Sequence, residues 1–286
     1  MRCMILTNVA ERMRKEYNEE LEGAMDDEDR LKIVNDLNIL ARTILGTTIC
    51  KSRLRIVVTL LTCISVYKGL VTDIVEYTNK PQLPNLIRQF LYHQLSNDPN
   101  ASDSDVSIST LPTLNTKIFL HSSACSIFFA PSDLCGLRGL CQEQIRSMWK
   151  WRGGPSRQDT VLVNTGHGGN TQLLMSGYVA AWVLLFFSFT YGGDDYCVAL
   201  VWWYILTDDS GHRDEATGMW LIEREYQNEE PHLSVIHVDA ILRAVHLLPF
   251  FGHEPVVRVV TQDNSLDRFG RFYVNRYVDH QAFEIL

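Results

Sequence analysis

The residues with the most obvious chemical potential lie in the stretch "LTDDSGHRDEATGMW", where Asp208, Asp209, Asp214 and Glu215 surround His212. Carboxylates and an imidazole so close in sequence can hold a hard divalent cation or supply a general acid and base, as a metal-dependent nuclease or hydrolase requires. The spacing argues otherwise. A calcium loop needs D-x-D-x-D-G with a glutamate at its far end, and "DDSGHRDEA" has neither. Apolar runs flank the loop on both sides, so it reads as the solvated tip of a hairpin.

Other reactive types are similarly dispersed. His232, His237, His246, His253 and His280 cluster late in the chain without H-x-x-x-H or H-E-x-x-H spacing, the patterns that place two imidazoles on one helix face. His237 and His246 fall in expected strands, where a histidine more often satisfies a backbone carbonyl than a metal. "NTGHGGN" (164–170) is glycine-rich but carries no lysine and fits neither phosphate-binding pattern, so it reads as a turn. No G-x-S-x-G occurs, and Cys197 sits in an apolar run where a thiol packs inertly. No catalytic residue, metal or cofactor follows from these patterns.

A different chemistry is suggested by "RGLCQEQIRSMWKWRGGPSRQD" (138–159), in which Arg138, Arg146, Lys150, Arg152 and Arg157 interleave with Trp149 and Trp151. Cations alternating with stacking aromatics can contact a phosphate backbone or an unpaired strand. The segment also fits a connector whose tryptophans plug the core while its charges face water. Lys150, Trp151, Arg152 and Arg157 are the first candidates for a binding surface. Trp203 and Trp220 are the second, as aromatics that could line a groove.

The whole chain must position these residues. At 286 residues, 46% of them hydrophobic, it can bury a substantial core, and a net charge of −8 lacks the basic excess of a stand-alone nucleic-acid binder. Seven scattered cysteines with no C-x-x-C point to reduced thiols in an intracellular setting. The apolar segments 56–66 and 179–191 fall short of the roughly 18 residues a membrane span needs, so both read as core elements and no membrane partner is expected.

The expected fold is α+β. A helical N-terminal segment, 1–80, has an apolar stripe at Val34, Leu37, Ala41 and Ile44 and a second helix over 54–75. Pro84 opens another helix, with Leu86, Phe90 and Leu95 on one face. Beyond a polar loop near residue 100, "TKIFLHSSACSIFF", "DTVLVNT", "VLLFFSFTY", "YCVALVWWYIL", "GMWLIERE", "SVIHV" and "AVHLLPFF" read as strands of a mostly antiparallel β domain over about 117–260. A C-terminal helix is expected over about 265–279, with Leu266, Phe269, Tyr273 and Tyr277 as its buried stripe.

Several of these segments carry a resemblance. "PQLPNLIRQFLYHQL", "FFAPSDLCGLRGLCQEQIRSMWKWRGGPSRQDTVLVNT", "TGMWLIERE", "VIHVDAILRAVHLLPFFG" and "SLDRFGRFYVNRYVDHQAFEI" look like the C-terminal region of Plavaka-type proteins. Those proteins are encoded by fungal transposons of the Kyakuja–Dileera–Zisupton group. The resemblance covers about residues 81–286. In that family the transposase proper has an RNase H-like core with a metal-binding acidic triad, upstream of the matched region, and residues 1–80 leave no room for it. The resemblance therefore implies a transposon-derived accessory product rather than an active transposase, with DNA, chromatin or a protein as partner and a nuclear setting. Two departures stand out: Val198 is inserted after Cys197, so that Trp202 stands where the family has His, and "GHGGNTQLLMSGYVAAWVL" replaces an acidic, Met-Arg-containing stretch.

At fold level, "YCVALVWW", "TGMWLIERE" and "VIHVDAILRAVHLLP" are similar to the strand order of bromo-adjacent-homology (BAH) domains, chromatin modules built on an SH3-like barrel. Such an analogy implies architecture and does not deliver function.

Overall fold

The computed structural model describes residues 57–61, 65–95, 111–112, 114, 116–130, 140–148, 150, 154–165, 177–207, 213–252, 260–261 and 264–286. Two compact units divide the chain, Met1–Val57 and Val58–Leu286, and all the described residues except Val57 belong to the second. The helix expected around Val34–Ile44 lies outside the described residues.

A long hairpin forms the spine. Strand β8 (Tyr178–Tyr191) pairs with β9 (Asp194–Leu206), from Ala181 opposite Trp203 to Tyr191 opposite Asp194. The two connecting residues, Gly192 and Gly193, have φ of 63° and 95°. A two-residue hairpin that matches strand twist needs positive φ at both positions, which glycine supplies without steric cost.

The pairing slips between Val183 and Leu185, leaving Leu184 as a bulge. Its carbonyl accepts hydrogen bonds from Ser147 Oγ at 2.7 Å and Gln158 Nε2 at 2.9 Å, so the irregularity is anchored from the neighbouring sheet. A bulge sharpens local twist, and here the spine changes partners. Before it, β8 pairs with β7 (Thr160–Asn164); beyond it, β8 pairs with β3 (Lys117–His121). On the other edge, β9 pairs first with β13 (Leu233–His237) and then with β10 (Trp220–Arg224). The expected pairing of "VALVWWYIL" with "TGMWLIERE" is thus observed, with Arg224 opposite Tyr204.

The sheet is antiparallel and curled. Residues 241–249 form β14 (Ile241–Ala244), which pairs with β7, and then β15 (Leu247–Pro249), which pairs with β16 (Arg271–Val274). Since β16 also pairs with β10, one stretch of chain carries both ends of the path β14-β7-β8-β9-β10-β16-β15. A four-stranded sheet, β1 (Val57–Leu61), β4 (Ser123–Phe129), β5 (Leu140–Met148) and β6 (Arg157–Gln158), completes the packing. Leu61, Ala124 and Ile145 from this sheet join Val163, Val183, Phe186, Val201 and Ile241 in one buried cluster.

Three expectations need correction. The helix over 54–75 is replaced by β1, a second strand β2 (Ser65–Leu70) and helix α1 (Val71–Thr78). Val57, Val58 and Val66 are β-branched, and β2 finds a ladder on β3 that a helix would forgo. The 83–95 helix is present as α2 (Leu83–Leu95), but its buried stripe is Leu83, Ile87, Phe90 and Leu91, while Leu95 is exposed.

The C-terminal helix over 265–279 does not form. In its place stand α3 (Ser265–Arg268), β16, and α4 (His280–Ile285). Phe272 and Val274 are buried with period two, whereas Tyr277 is 57% exposed. Pairing of β16 on both its edges outweighs the i, i+4 spacing of Phe269, Tyr273 and Tyr277.

The C-terminal segment is fastened by one buried cation. Arg243, 4% exposed on β14, donates through Nη1 to Gln281 Oε1 at 2.8 Å and through Nη2 to Glu143 Oε1 at 2.6 Å. It also grips Asp279 with both terminal nitrogens, and Phe128 lies under the guanidinium at 4.6 Å. Asp279 in turn caps α4 by accepting from Ala282 N at 2.7 Å. Charge-assisted bonds of this kind offset the desolvation of a buried guanidinium.

Candidate functional site

Of the acidic loop, Asp214 is engaged in a local turn. Asp214 Oδ1 accepts from Thr217 N at 2.8 Å and Thr217 Oγ1 at 2.7 Å, and these hydrogen bonds hold its carboxyl below the usual aspartate value. That is how a turn-forming aspartate behaves. Glu215 is exposed, and Asp208, Asp209 and His212 lie outside the described residues. Among the described residues no three His, Cys, Asp or Glu side chains converge as a metal site. His237 and His246 bond to side chains, Gln94 Oε1 at 2.9 Å and Asn275 Nδ2 at 3.1 Å, rather than to the carbonyls expected from their strands.

The candidate binding residues are spread over the fold. Lys150 is exposed, and Trp151 and Arg152 lie outside the described residues. Arg157, on the two-residue edge strand β6, forms an ion pair with Asp159 at 3.0 Å. Trp203 packs against the main core cluster and donates from Nε1 to Ser234 Oγ at 2.9 Å. Trp220 donates to the Leu286 backbone oxygen at 3.0 Å, with the Arg213 guanidinium 5.3 Å over its ring. Strand alternation places Trp220 on the face of Arg224 and Tyr204, opposite to Trp203. The two tryptophans therefore line no common groove.

The face that carries Trp220 holds a cluster that no sequence motif announces. Trp182 and Trp202 are cross-strand partners whose rings lie 6.1 Å apart at 20°, and Tyr226 meets Trp202 edge-on at 5.4 Å. The Arg224 guanidinium sits 4.9 Å from both indole rings, an arrangement in which aromatic faces attract a cation. The indole nitrogens are satisfied elsewhere, Trp182 on the Gln158 carbonyl at 3.0 Å and Trp202 on the Glu225 carbonyl at 2.8 Å. The tryptophan rings are thereby fixed, and Arg224 is oriented by them and by the Leu266 carbonyl, to which Nη2 donates.

Two donors of this cluster face each other. Arg224 Nε and the Tyr204 hydroxyl are buried without a partner of ideal hydrogen-bond geometry, and the guanidinium and the phenol interact with one another. Burial pushes the Tyr204 phenol up to about 12, so it stays protonated and remains a donor. Buried orphans are rare in folded proteins and each calls for a reason.

Beside them opens a cavity of about 380 Å³, lined by Glu223, Arg224, Tyr226, Gly270 and Arg271. Arg271 is exposed and lies 4.9 Å over the Phe250 ring. Among the described residues, neither Arg271 nor Arg224 has a carboxylate within ion-pair distance. The alternation Trp220, Ile222, Arg224 was the available signal, since an arginine in phase with inward apolar residues must find an unusual partner. Comparison with protein-family models, with curated proteins and with solved structures yields no match, so the site has to be read from its own chemistry.

Proposed function

We propose that the chain is a non-catalytic interaction module of transposon origin, of the Plavaka type, and that it engages a chromatin-associated protein through the rim formed by Arg224, Tyr226 and Arg271. The observation that carries this reading is an open cavity of about 380 Å³ lined by residues Glu223, Arg224, Gly270 and Arg271, beside Tyr226, which is 53% exposed. Arginine and tyrosine are the residue types that concentrate binding energy at interfaces. The finer architecture proposed with it is a BAH-like, SH3-like barrel. Its support is the run 241–249, which pairs at one end with β7 and at the other with β16.

A protein partner is favoured over duplex DNA by the overall charge of −8 and by Glu223 at the lip of the cavity. The test is an array of histone-tail and unrelated peptides, with duplex DNA alongside, probed with the full chain and with Arg271→Glu. Retention of peptides by the wild type, lost in the variant at unchanged melting temperature, supports the reading. An array that stays at background for the wild type overturns it.

A further inference from the structure

We infer that Arg213 and Arg276, with the exposed side chains of Tyr277, Val278 and Phe283, form a docking surface for a segment of a partner protein in which acidic residues flank an aromatic one. The inference does not depend on the module reading. Tyr277, Val278 and Phe283 are 57%, 49% and 51% exposed, a high density of large apolar groups for so short a stretch. They are nonetheless anchored. Tyr277 and Phe283 lie 6.0 Å apart, and the Tyr277 hydroxyl donates to the Thr217 carbonyl at 2.8 Å. The Tyr277 amide donates to Asn275 Oδ1 at 3.0 Å, and Asp279, next to Val278, is gripped by Arg243. Anchored aromatics lose little freedom on meeting a partner, so their burial is available for binding.

Two cations accompany these rings. The Arg276 guanidinium stands 4.3 Å from the centre of the Phe283 ring and 5.9 Å from that of Tyr277, and donates to the Phe283 carbonyl at 3.1 Å. Arg213 lies over Trp220 and donates to the Leu286 backbone oxygen, at the same end of α4. Burial and the positive charge of Arg276 both lower Arg213 from its usual value, so the two groups feel one another. Carbonyls at a helix end attract cations, and they occupy one nitrogen of each guanidinium. They supply no counter-charge. Among the described residues neither arginine has a carboxylate side chain within ion-pair distance, because Asp214 is engaged by Thr217 and Asp279 by Arg243. Arg276 Nε is buried with no hydrogen-bond partner. In a chain of net charge −8, such a pair selects an acidic segment, and the rings beside it select an apolar side chain within that segment. A second copy of the chain fits less well, since a two-fold contact would set these arginines against themselves. Duplex DNA offers phosphates but no apolar side chain for the rings.

The test uses the full chain and three short fluorescein-labelled peptides. The first has a phenylalanine flanked by aspartates; the second replaces the aspartates with asparagine, and the third replaces the phenylalanine with alanine. Fluorescence anisotropy is expected to show the first binding at least about tenfold more tightly than either of the others. Phe283→Ser and Arg276→Gln are each expected to remove most of that advantage, and Arg213→Lys to keep part of it. Arg276 also holds a carbonyl of α4, so its variant is read beside a melting curve. The half-exposed Phe283 supports no core, and Phe283→Ser should keep the wild-type melting temperature, which leaves it to decide the matter if Arg276→Gln is unstable.

Equal binding of the three peptides, or binding at background for all of them, overturns the inference, as does a preference that survives Phe283→Ser. Short duplex DNA that binds more tightly than the acidic peptide, in an Arg276-dependent way, overturns it in favour of nucleic acid. Sedimentation that reveals a dimer dissociated by Phe283→Ser overturns it in favour of a second copy of the chain.

Discussion

Arg243 and Asp279 meet through both guanidinium nitrogens, Nη1 to Oδ1 at 2.9 Å and Nη2 to Oδ2 at 2.6 Å, so a strand of the curled sheet holds the cap of the last helix. Burial acts to raise the Asp279 carboxyl, but the Arg243 hydrogen bonds and charge, with the Ala282 and Gln281 amides, outweigh it and leave it below the usual aspartate value. A depressed carboxylate contributes stability that is complete above its unfolded value and lost as pH falls through its folded one. The melting temperature is therefore expected to drop as pH is lowered past about 3.9, the ordinary aspartate value. At neutral pH, Asp279→Asn is expected to cost about 1 to 2 kcal/mol, a modest figure because 27% of the Asp279 side chain meets water. Melting curves of both proteins across the acid range should converge; a constant gap would refute the linkage.

Removal of one wall of the indole pair should be severe. Trp182 is 8% exposed, so Trp182→Ala is expected to lose about 3 to 5 kcal/mol in urea denaturation. Trp202→Ala, at a half-buried position, should lose less. A double-mutant cycle between them should return a coupling of about 0.5 to 1.5 kcal/mol, the amount by which stacked aromatics exceed their buried area. A coupling near zero would mean the two rings are merely neighbours.

The acidic loop should be indifferent to metal. Asp214 is an acceptor for Thr217, and Asp214→Ala is expected to cost about 1 kcal/mol through that lost turn. Magnesium, manganese or EDTA should leave the melting temperature in place, and plasmid DNA should stay uncut with either ion. Metal-dependent nicking that Asp214→Ala abolishes would revive the hydrolase alternative built on Asp208, Asp209 and His212.

The hairpin turn offers a matched pair of substitutions. Gly193 at φ 95° lies where any side chain is strained, so Gly193→Ala is expected to cost about 1 to 2 kcal/mol. Gly192 at φ 63° lies in the left-handed region that asparagine tolerates, and Gly192→Asn should change stability by less than about 0.5 kcal/mol. Equal effects at both positions would show that the loop rearranges.

The strands that surfaced from sequence are those with unbroken apolar content, such as "VLLFFSFTY" and "VALVWWYIL", because burial on both faces leaves few polar interruptions. Strand β5 was missed for the complementary reason. Gln142, Gln144 and Arg146 point away from Ile145 and Ser147, and the outward polar face made "LCQEQIRSM" resemble a basic connector. Strand β16 was hidden by an accidental helical spacing, and only its partners on both sides, β10 and β15, decide its conformation. The site was less legible still. Trp182, Trp202 and Arg224 come from three strands, and their proximity is a property of pairing register that no local pattern encodes.

The double duty of residues 241–249 also dictates an order of events. The β8–β9 hairpin is local and can close early, but the curled sheet is not complete until β14 reaches β7, some eighty residues back, and β16 has been made to receive β15. Until then a growing chain displays apolar hairpin faces with nothing laid over them. Folding should accordingly be slow, and yield in cells should depend on chaperone supply more steeply than the final stability alone would suggest.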